Sequence, residues 1–178
     1  MKLFLSPHQD DESLFGAYTL MRERPFVLFC TYPVIQAKKG LEATTIQRLE
    51  ESHNAMEILG LNYDTILSIT DDGPTEEGLT TALEKYQSTY SDVYAPAVEG
   101  FALQHDLVSR VADKLWPGHA THYMTYTSSD LHTKGSVVLT PTREEMDIKN
   151  KMLDCYKTQL RYNLPHFEAV RNLPEYYE

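Results

Sequence analysis

Between Pro7 and Glu12 the chain reads Pro-His-Gln-Asp-Asp-Glu, which places one imidazole and three carboxylates within five residues. Neutral imidazole and carboxylate both suit a borderline-soft divalent ion such as zinc, and a strand-to-helix turn aims residues three apart at one point. His8 and Asp11 are therefore a candidate ligand pair. Asp10, between them, stands where a general base could reach a water without binding the ion itself. A second reading of the same residues has Asp10, Asp11 and Glu12 complementing the positive end of a helix, with His8 on the surface. Spacing alone leaves the two readings even.

The elements that must position this stretch follow from periodicity. Lys2 to Ser6 and Pro25 to Thr31 are apolar runs of the kind found in strands buried on both faces. Asp11 to Arg24 carries Leu14, Ala17, Tyr18 and Met21 at helical spacing, which makes the first 31 residues a strand, a helix and a strand. A loop is expected at Tyr32 to Gly40, where function commonly gathers. Next come a helix over Thr44 to Leu59 stopped by Gly60, a strand over Asp64 to Ile69, and a turn at Asp71 to Pro74. Helices are predicted over Leu79 to Tyr90 and Asp106 to Trp116, and strands over Asp92 to Ala95, His122 to Tyr126 and Ser136 to Leu139. A long helix from Thr142 to Leu160 opens on a capping box, Thr142 with Glu145, and Arg161 to Glu178 reads as an irregular tail on a single domain spanning 1–178. The alternation implies an α/β fold with a mostly parallel sheet whose ligands gather at the C-terminal ends of the strands.

The stretch around His8 resembles the Pro/Ala-His-Pro-Asp-Asp-Glu signature of the LmbE/PIG-L family of zinc-dependent N-acetylglucosaminyl deacetylases, with Gln9 in place of the usual proline. Other segments resemble that family in the same order. Arg48, Glu51, Ala55, Leu59 and Gly60 match its second helix, and Asp72-Gly73 its turn after the third strand. Glu99-Gly100-Phe-Ala-Leu-Gln-His105-Asp106 resembles Glu-Gly-Gly-His-x-x-His-Asp, and Lys149 to Gln159 resembles a late Lys, Tyr, Ser-Gln segment. The resemblance spans residues 2 to 160.

Carried over by position, it implies a Rossmann-like sheet with helices on both faces, metal ligands at His8, Asp11 and His105, a catalytic base at Asp10 and a substrate-contacting guanidinium at Arg48. Zinc is the implied ion, and ferrous iron also suits a site of two histidines and one carboxylate. The implied reaction is removal of an acetyl group from an N-acetylated amino sugar or a related small amide. Hydrolysis of another acyl or carbamoyl amide with the same metal, and a non-catalytic ligand-binding role, are the alternatives; intact His8, Asp10, Asp11 and His105 speak against the last. One position departs from the family: Ala102 stands where a histidine is usual, and His132 and His122 are candidates to replace it. Loss of one oxyanion donor costs about 10²- to 10³-fold in turnover.

The remaining histidines have plainer readings: His53 as exposed on a helix, His119 as a turn residue, His166 as a tail residue. Glu12 either supports the metal site or caps the helix. Against 26 acidic residues stand 16 basic ones, a formal charge of -10 that disfavours a phosphate backbone as partner. The absence of an 18-residue apolar run and the short apolar start predict neither a membrane span nor a signal peptide, so the expected compartment is the cytoplasm. Cys30 and Cys155 read as small buried residues. The segment after Gln159 is short for the family, and a homo-oligomer is compatible with it.

Overall fold

In the first strand, β1 (Lys2–Ser6), Leu3 and Leu5 alternate with Phe4, and that alternation sorts the molecule into two apolar layers. Phe4 joins Leu14, Phe15, Met56, Leu153 and Phe167. Leu3 and Leu5 join Leu28, Leu79, Leu83, Val108 and Val111 on the other side. A strand whose two faces are both apolar needs helices on each side.

The computed structural model describes residues 1–31, 45–66, 74–130 and 132–178. After β1 come α1 (Asp11–Phe15), α2 (Ala17–Glu23), β2 (Phe26–Phe29), α3 (Thr45–Leu59), β3 (Tyr63–Thr65), α4 (Glu76–Gln87), β4 (Asp92–Pro96) and α5 (Leu103–Leu115). The chain continues through β5 (Ala120–Tyr123), β6 (Val137–Leu139), α6 (Arg143–Cys155), α7 (Lys157–Val170) and β7 (Glu175–Tyr177). The sheet order is β3-β2-β1-β4-β5-β7-β6. The first five strands run parallel, with Phe4 beside Val27 on one side and Tyr94 on the other. β7 is antiparallel to both β5 and β6. This is the α/β architecture the alternation implied, with α1, α2, α3, α6 and α7 on the Phe4 face and α4 and α5 opposite. Strand order reverses between β1 and β4, which opens a crevice at their C-terminal ends.

Several elements depart from the sequence reading. The helix expected from Asp11 to Arg24 breaks at Gly16, which has φ -129° and ψ 4°, and a Cβ there would lie 2.2 Å from Cζ of Phe4, whose ring is stacked on Tyr123 at 4.8 Å, so the junction takes glycine. Gly16→Ala is expected to cost about 1–3 kcal/mol through overpacking, read as a lower urea midpoint; an unchanged midpoint would mean that the Phe4 ring swings aside freely. The helix expected from Leu79 starts at Glu76, where Thr75 Oγ1 accepts from Gly78 N at 3.1 Å. The fifth strand is shifted to Ala120–Tyr123. The long late helix keeps its capping box at Thr142 and Glu145 but breaks at Tyr156. The loop read at Tyr32 to Gly40, the end of the third strand and the Asp72-Gly73 turn lie outside the described residues.

The segment from Arg161 onward is ordered, a correction to the irregular tail. α7 runs to Val170 with Pro165 inside it, and β7 follows. Its aromatics are core residues: Phe167, Val170 and Tyr177 are buried in the Phe4 layer, and His166 is buried too, against Phe15 and Tyr126. Glu175, fully buried, fastens the strand to α2 by accepting from Tyr18 N at 2.7 Å, Thr19 N at 3.1 Å and Thr19 Oγ1 at 3.2 Å. Beside it lies Lys149, also fully buried, its ammonium 4.7 Å from the centre of the Tyr18 ring. Cys30 is buried as expected, whereas Cys155 is partly exposed; both are free thiols.

Candidate metal centre

The crevice receives the residues singled out in the sequence. His8 and Asp11 follow the end of β1, and His105 sits in the first turn of α5, just beyond β4. His8 Nδ1 lies 3.0 Å from Asp11 Oδ2, His105 Nε2 lies 3.1 Å from the same oxygen, and the two ring nitrogens are 3.2 Å apart. Among the described residues these three form the one group with metal-ligand chemistry and mutual reach. Lone pairs of two imidazole nitrogens and a carboxylate oxygen aimed at one point repel one another unless a cation or a proton occupies that point. Bonds of about 2.0–2.1 Å in tetrahedral geometry would set such ligand atoms roughly 3.3 Å apart, close to the triangle found. The donor set therefore fits zinc, and it fits ferrous iron on the same chemistry.

Burial opposes the charge on Asp11, but the adjacent His105 and His8 imidazoles outweigh it and hold the carboxyl far below the usual range. His8 is opposed by burial as well, and Asp11 and Asp10 nonetheless raise its pKa. Its side chain keeps 32% of its surface open, so the cluster is reached from the His8 side, while His105 is buried. His8 Nε2 contacts Gln104 Oε1.

Asp10 stays outside the ligand triangle. It has φ 150° and ψ -25°, a sparsely populated conformation for a residue with a Cβ. Glu12 holds it there: Asp10 N donates to Glu12 Oε2 at 3.0 Å, and Ser13 Oγ and Tyr156 Oη donate to Glu12 Oε1 at 2.6 and 2.5 Å. The Glu12 carboxylate thus secures the first helical turn and shapes the loop that carries Asp10. Gln9, in the place of the family's proline, serves the same end by donating from Nε2 to Thr31 O at 2.8 Å. Burial, and secondarily repulsion from Asp11 and Glu12, pushes the Asp10 carboxyl up to about 7 against the pull of Arg48 and His8.

Burial also pushes Glu12 up to about 7, although Ser13 and Tyr156 favour its ionised form. A folded pKa raised above the ordinary 4.5 means that its contribution to stability is greatest below pH 4.5 and declines as pH rises to about 7. Tyr156→Phe is accordingly expected to cost about 1.5–3 kcal/mol at pH 8, where the lost bond is to a carboxylate, and about 0.5–1.5 kcal/mol at pH 5. Urea unfolding at the two pH values checks it; equal losses would place the charge elsewhere.

Arg48, on α3, reaches the same crevice. Nη2 donates to Gln9 O at 2.5 Å and lies 3.7 Å from Asp10 Oδ2, while the buried Nη1 has no hydrogen-bond partner among the described residues. Glu51 does not pair with it. Instead, Glu51 caps α7, accepting from Thr158 N at 2.7 Å and Thr158 Oγ1 at 2.6 Å.

Neither candidate for the missing histidine is brought to the cluster. His132 packs between Phe15 and Tyr176, and His122 pairs with Asp113 at 3.2 Å on the flank of α5. The aromatic ring that does reach the site is Tyr126, edge-on to His105 at 5.4 Å. His53 is exposed and His119 lies in a turn, as read from the sequence. Sequence reasoning missed Thr125, which touches His105 from the end of β5; no local pattern marks it, because only sheet order brings it beside α5.

No family model and no curated protein sequence matches the chain. Solved structures do. The conserved protein TT1542 from Thermus thermophilus superposes with a TM-score of 0.72 at 20% identity, over 99% of this chain and 92% of that one. The 4-carboxy-2-hydroxymuconate hydratase GalB from Pseudomonas putida KT2440 gives 0.68 at 14% identity, over 100% and 95%. The zinc-inhibited form of teicoplanin deacetylase Orf2 gives 0.66 at 14% identity, over 91% and 86%. These similarities establish the fold as one that deacetylases and a hydratase also use. No helix among the described residues is long and apolar enough to cross a membrane.

Proposed function

We propose that the chain is a metal-dependent hydrolase of the LmbE/PIG-L type that removes an acyl group, acetyl in the first instance, from an N-acylated amino sugar or a related small amide. The observation that carries this reading is the convergence of His8 Nδ1, Asp11 Oδ2 and His105 Nε2 on one point, with Asp10 and Arg48 beside it. When bound there, zinc or iron supplies Lewis acidity that acidifies water and polarises an acyl oxygen.

The chain's own residues do the rest. Asp10, with a carboxyl near pH 7 in its titration, accepts a proton from the attacking water as oxygen bonds to the acyl carbon. The same carboxyl then returns the proton to nitrogen as the C–N bond breaks, releasing a carboxylic acid and an amine. Arg48 Nη1, buried and unsatisfied among the described residues, donates to an oxygen of the substrate. The half-open His8 side admits the amide, and buried His105 and Asp11 keep their positions. The similarity to a hydratase indicates that this scaffold is not tied to amide chemistry, so the substrate must be found by assay.

The test is metal content of native and His105→Ala protein prepared without chelator, together with acetate release from a panel of N-acetyl amino sugars. One zinc or iron per chain that is lost in the variant, with acetate released, is the expected result. Native protein that takes up no metal and releases no acid from any amide would overturn the proposal.

A further inference from the structure

We infer that Glu99, acting through Thr125, fixes the tautomer of His105 so that its Nε2 lone pair is presented to the cluster, which makes Glu99 and Thr125 positioning residues of the site. His105 Nδ1 lies 3.2 Å from Thr125 Oγ1, and Thr125 Oγ1 lies 2.6 Å from Glu99 Oε2. A hydroxyl carries a single hydrogen. At 2.6 Å from a carboxylate oxygen that hydrogen belongs to the charge-assisted bond with Glu99. Thr125 therefore offers His105 a lone pair, and His105 Nδ1 must carry the proton that meets it. Nε2 is left without a hydrogen, and the proton that the metal-free triangle needs sits on His8 Nδ1, 3.0 Å from Asp11 Oδ2 and 3.2 Å from His105 Nε2.

Glu99 is itself held for this task. It accepts from Thr125 N at 3.1 Å and is contacted by Thr133 Oγ1, and Thr133 N bonds back to Thr125 O at 3.0 Å. The carboxylate thus braces both sides of the turn that carries Thr125. The frame comes from the sheet: Ala97 N donates to Tyr123 O at 2.8 Å, which extends the β4–β5 pairing and sets the segment ending at Glu99 beside Thr125. Metal-binding histidines in general have their second nitrogen anchored to a carboxylate or carbonyl, and loss of the anchor costs about 10–100-fold in metal affinity. Here a threonine hydroxyl is interposed.

The consequence for metal binding rests on the hydrolase reading, whereas the tautomer is a property of the chain alone, and the experiment separates the two. Long-range ¹H–¹⁵N correlation spectra of chelator-treated, ¹⁵N-histidine-labelled protein at pH 8 are expected to show His105 locked with its proton on Nδ1. Thr125→Val and Glu99→Ala should release the lock and weaken zinc binding by about 10–100-fold, and Thr125→Ser should restore both. Wild-type protein that binds neither zinc nor iron and releases no acid from any amide, with the lock present and lost only in the Val and Ala variants, would uphold the inference while sinking the hydrolase reading. An Nε2–H tautomer in the wild type, or a Val variant matching it in both tautomer and affinity, overturns the inference.

Discussion

Asp10→Asn protein is expected to bind zinc as the wild type does and to hydrolyse its amide substrate about 10²- to 10⁴-fold more slowly. The two halves of that expectation come from one piece of geometry. Asp10 sits one residue from Asp11, yet its backbone has φ 150°, its Oδ2 lies 3.7 Å from Arg48 Nη2, and it is not one of the three groups, His8, Asp11 and His105, that converge. An amide of the same shape keeps the loop but can no longer accept a proton. The pH profile carries the sign: Asp10 acts only when ionised and burial raises its carboxyl, so wild-type turnover should fall on the acid side as that carboxyl takes up a proton, and that limb should vanish in the variant. Zinc titration and acid release across pH 5–9 check both. Turnover within twofold of the wild type would place the base on another residue.

Glu175→Ala is expected to destabilise the protein by about 2–5 kcal/mol, chiefly the cost of leaving two buried backbone N–H groups without their acceptor. Tyr18 N and Thr19 N lose their acceptor, and Lys149 loses the carboxylate that favours its charge. Burial dominates both members of the pair, raising Glu175 and lowering Lys149 to about 8 in spite of their mutual attraction. The ordinary value for lysine is 10.5, so the unfolded chain binds more protons than the folded one between pH 8 and 10.5, and this group's contribution to stability grows over that window. The deficit of the variant should therefore shrink above about pH 8, where Lys149 is neutral in the fold. Urea unfolding at pH 7 and pH 9 measures it; a deficit below about 1 kcal/mol would mean that water replaces Glu175 as the acceptor for Tyr18 N and Thr19 N.

The first strand, the ligand-bearing turn and the α/β alternation were legible because each is written in neighbouring residues: Leu3, Phe4 and Leu5 in an apolar run, His8 to Glu12 as a dense polar cluster, Leu107, Val108 and Val111 at helical spacing. His105 was legible only through the family resemblance. Three things were not legible. The need for glycine at the helix break, position 16, depends on the Phe4 ring twelve positions earlier in the chain. The conformation of Asp10 depends on Tyr156 reaching Glu12 from α7's start, 144 residues away. The final segment looked irregular because Pro165 and Pro174 interrupt its pattern, yet Phe167, Val170 and Tyr177 complete a core whose other members run from Phe4 to Tyr156.

The position of β7 has a consequence for how the molecule is made. Its three residues lie between β5 and β6 and hold the backbone of α2 through Glu175, across contacts spanning 157 residues of sequence. A nascent chain emerging in order therefore has its five parallel strands available early but cannot join β6 to the sheet, or give Lys149 its counter-charge, until residue 177 has left the ribosome. Loop closure over such separations is slow compared with the pairing of β1 and β2. His8, Asp11 and His105 all precede β7 in the chain, so they can be brought together while the far edge of the sheet is still open.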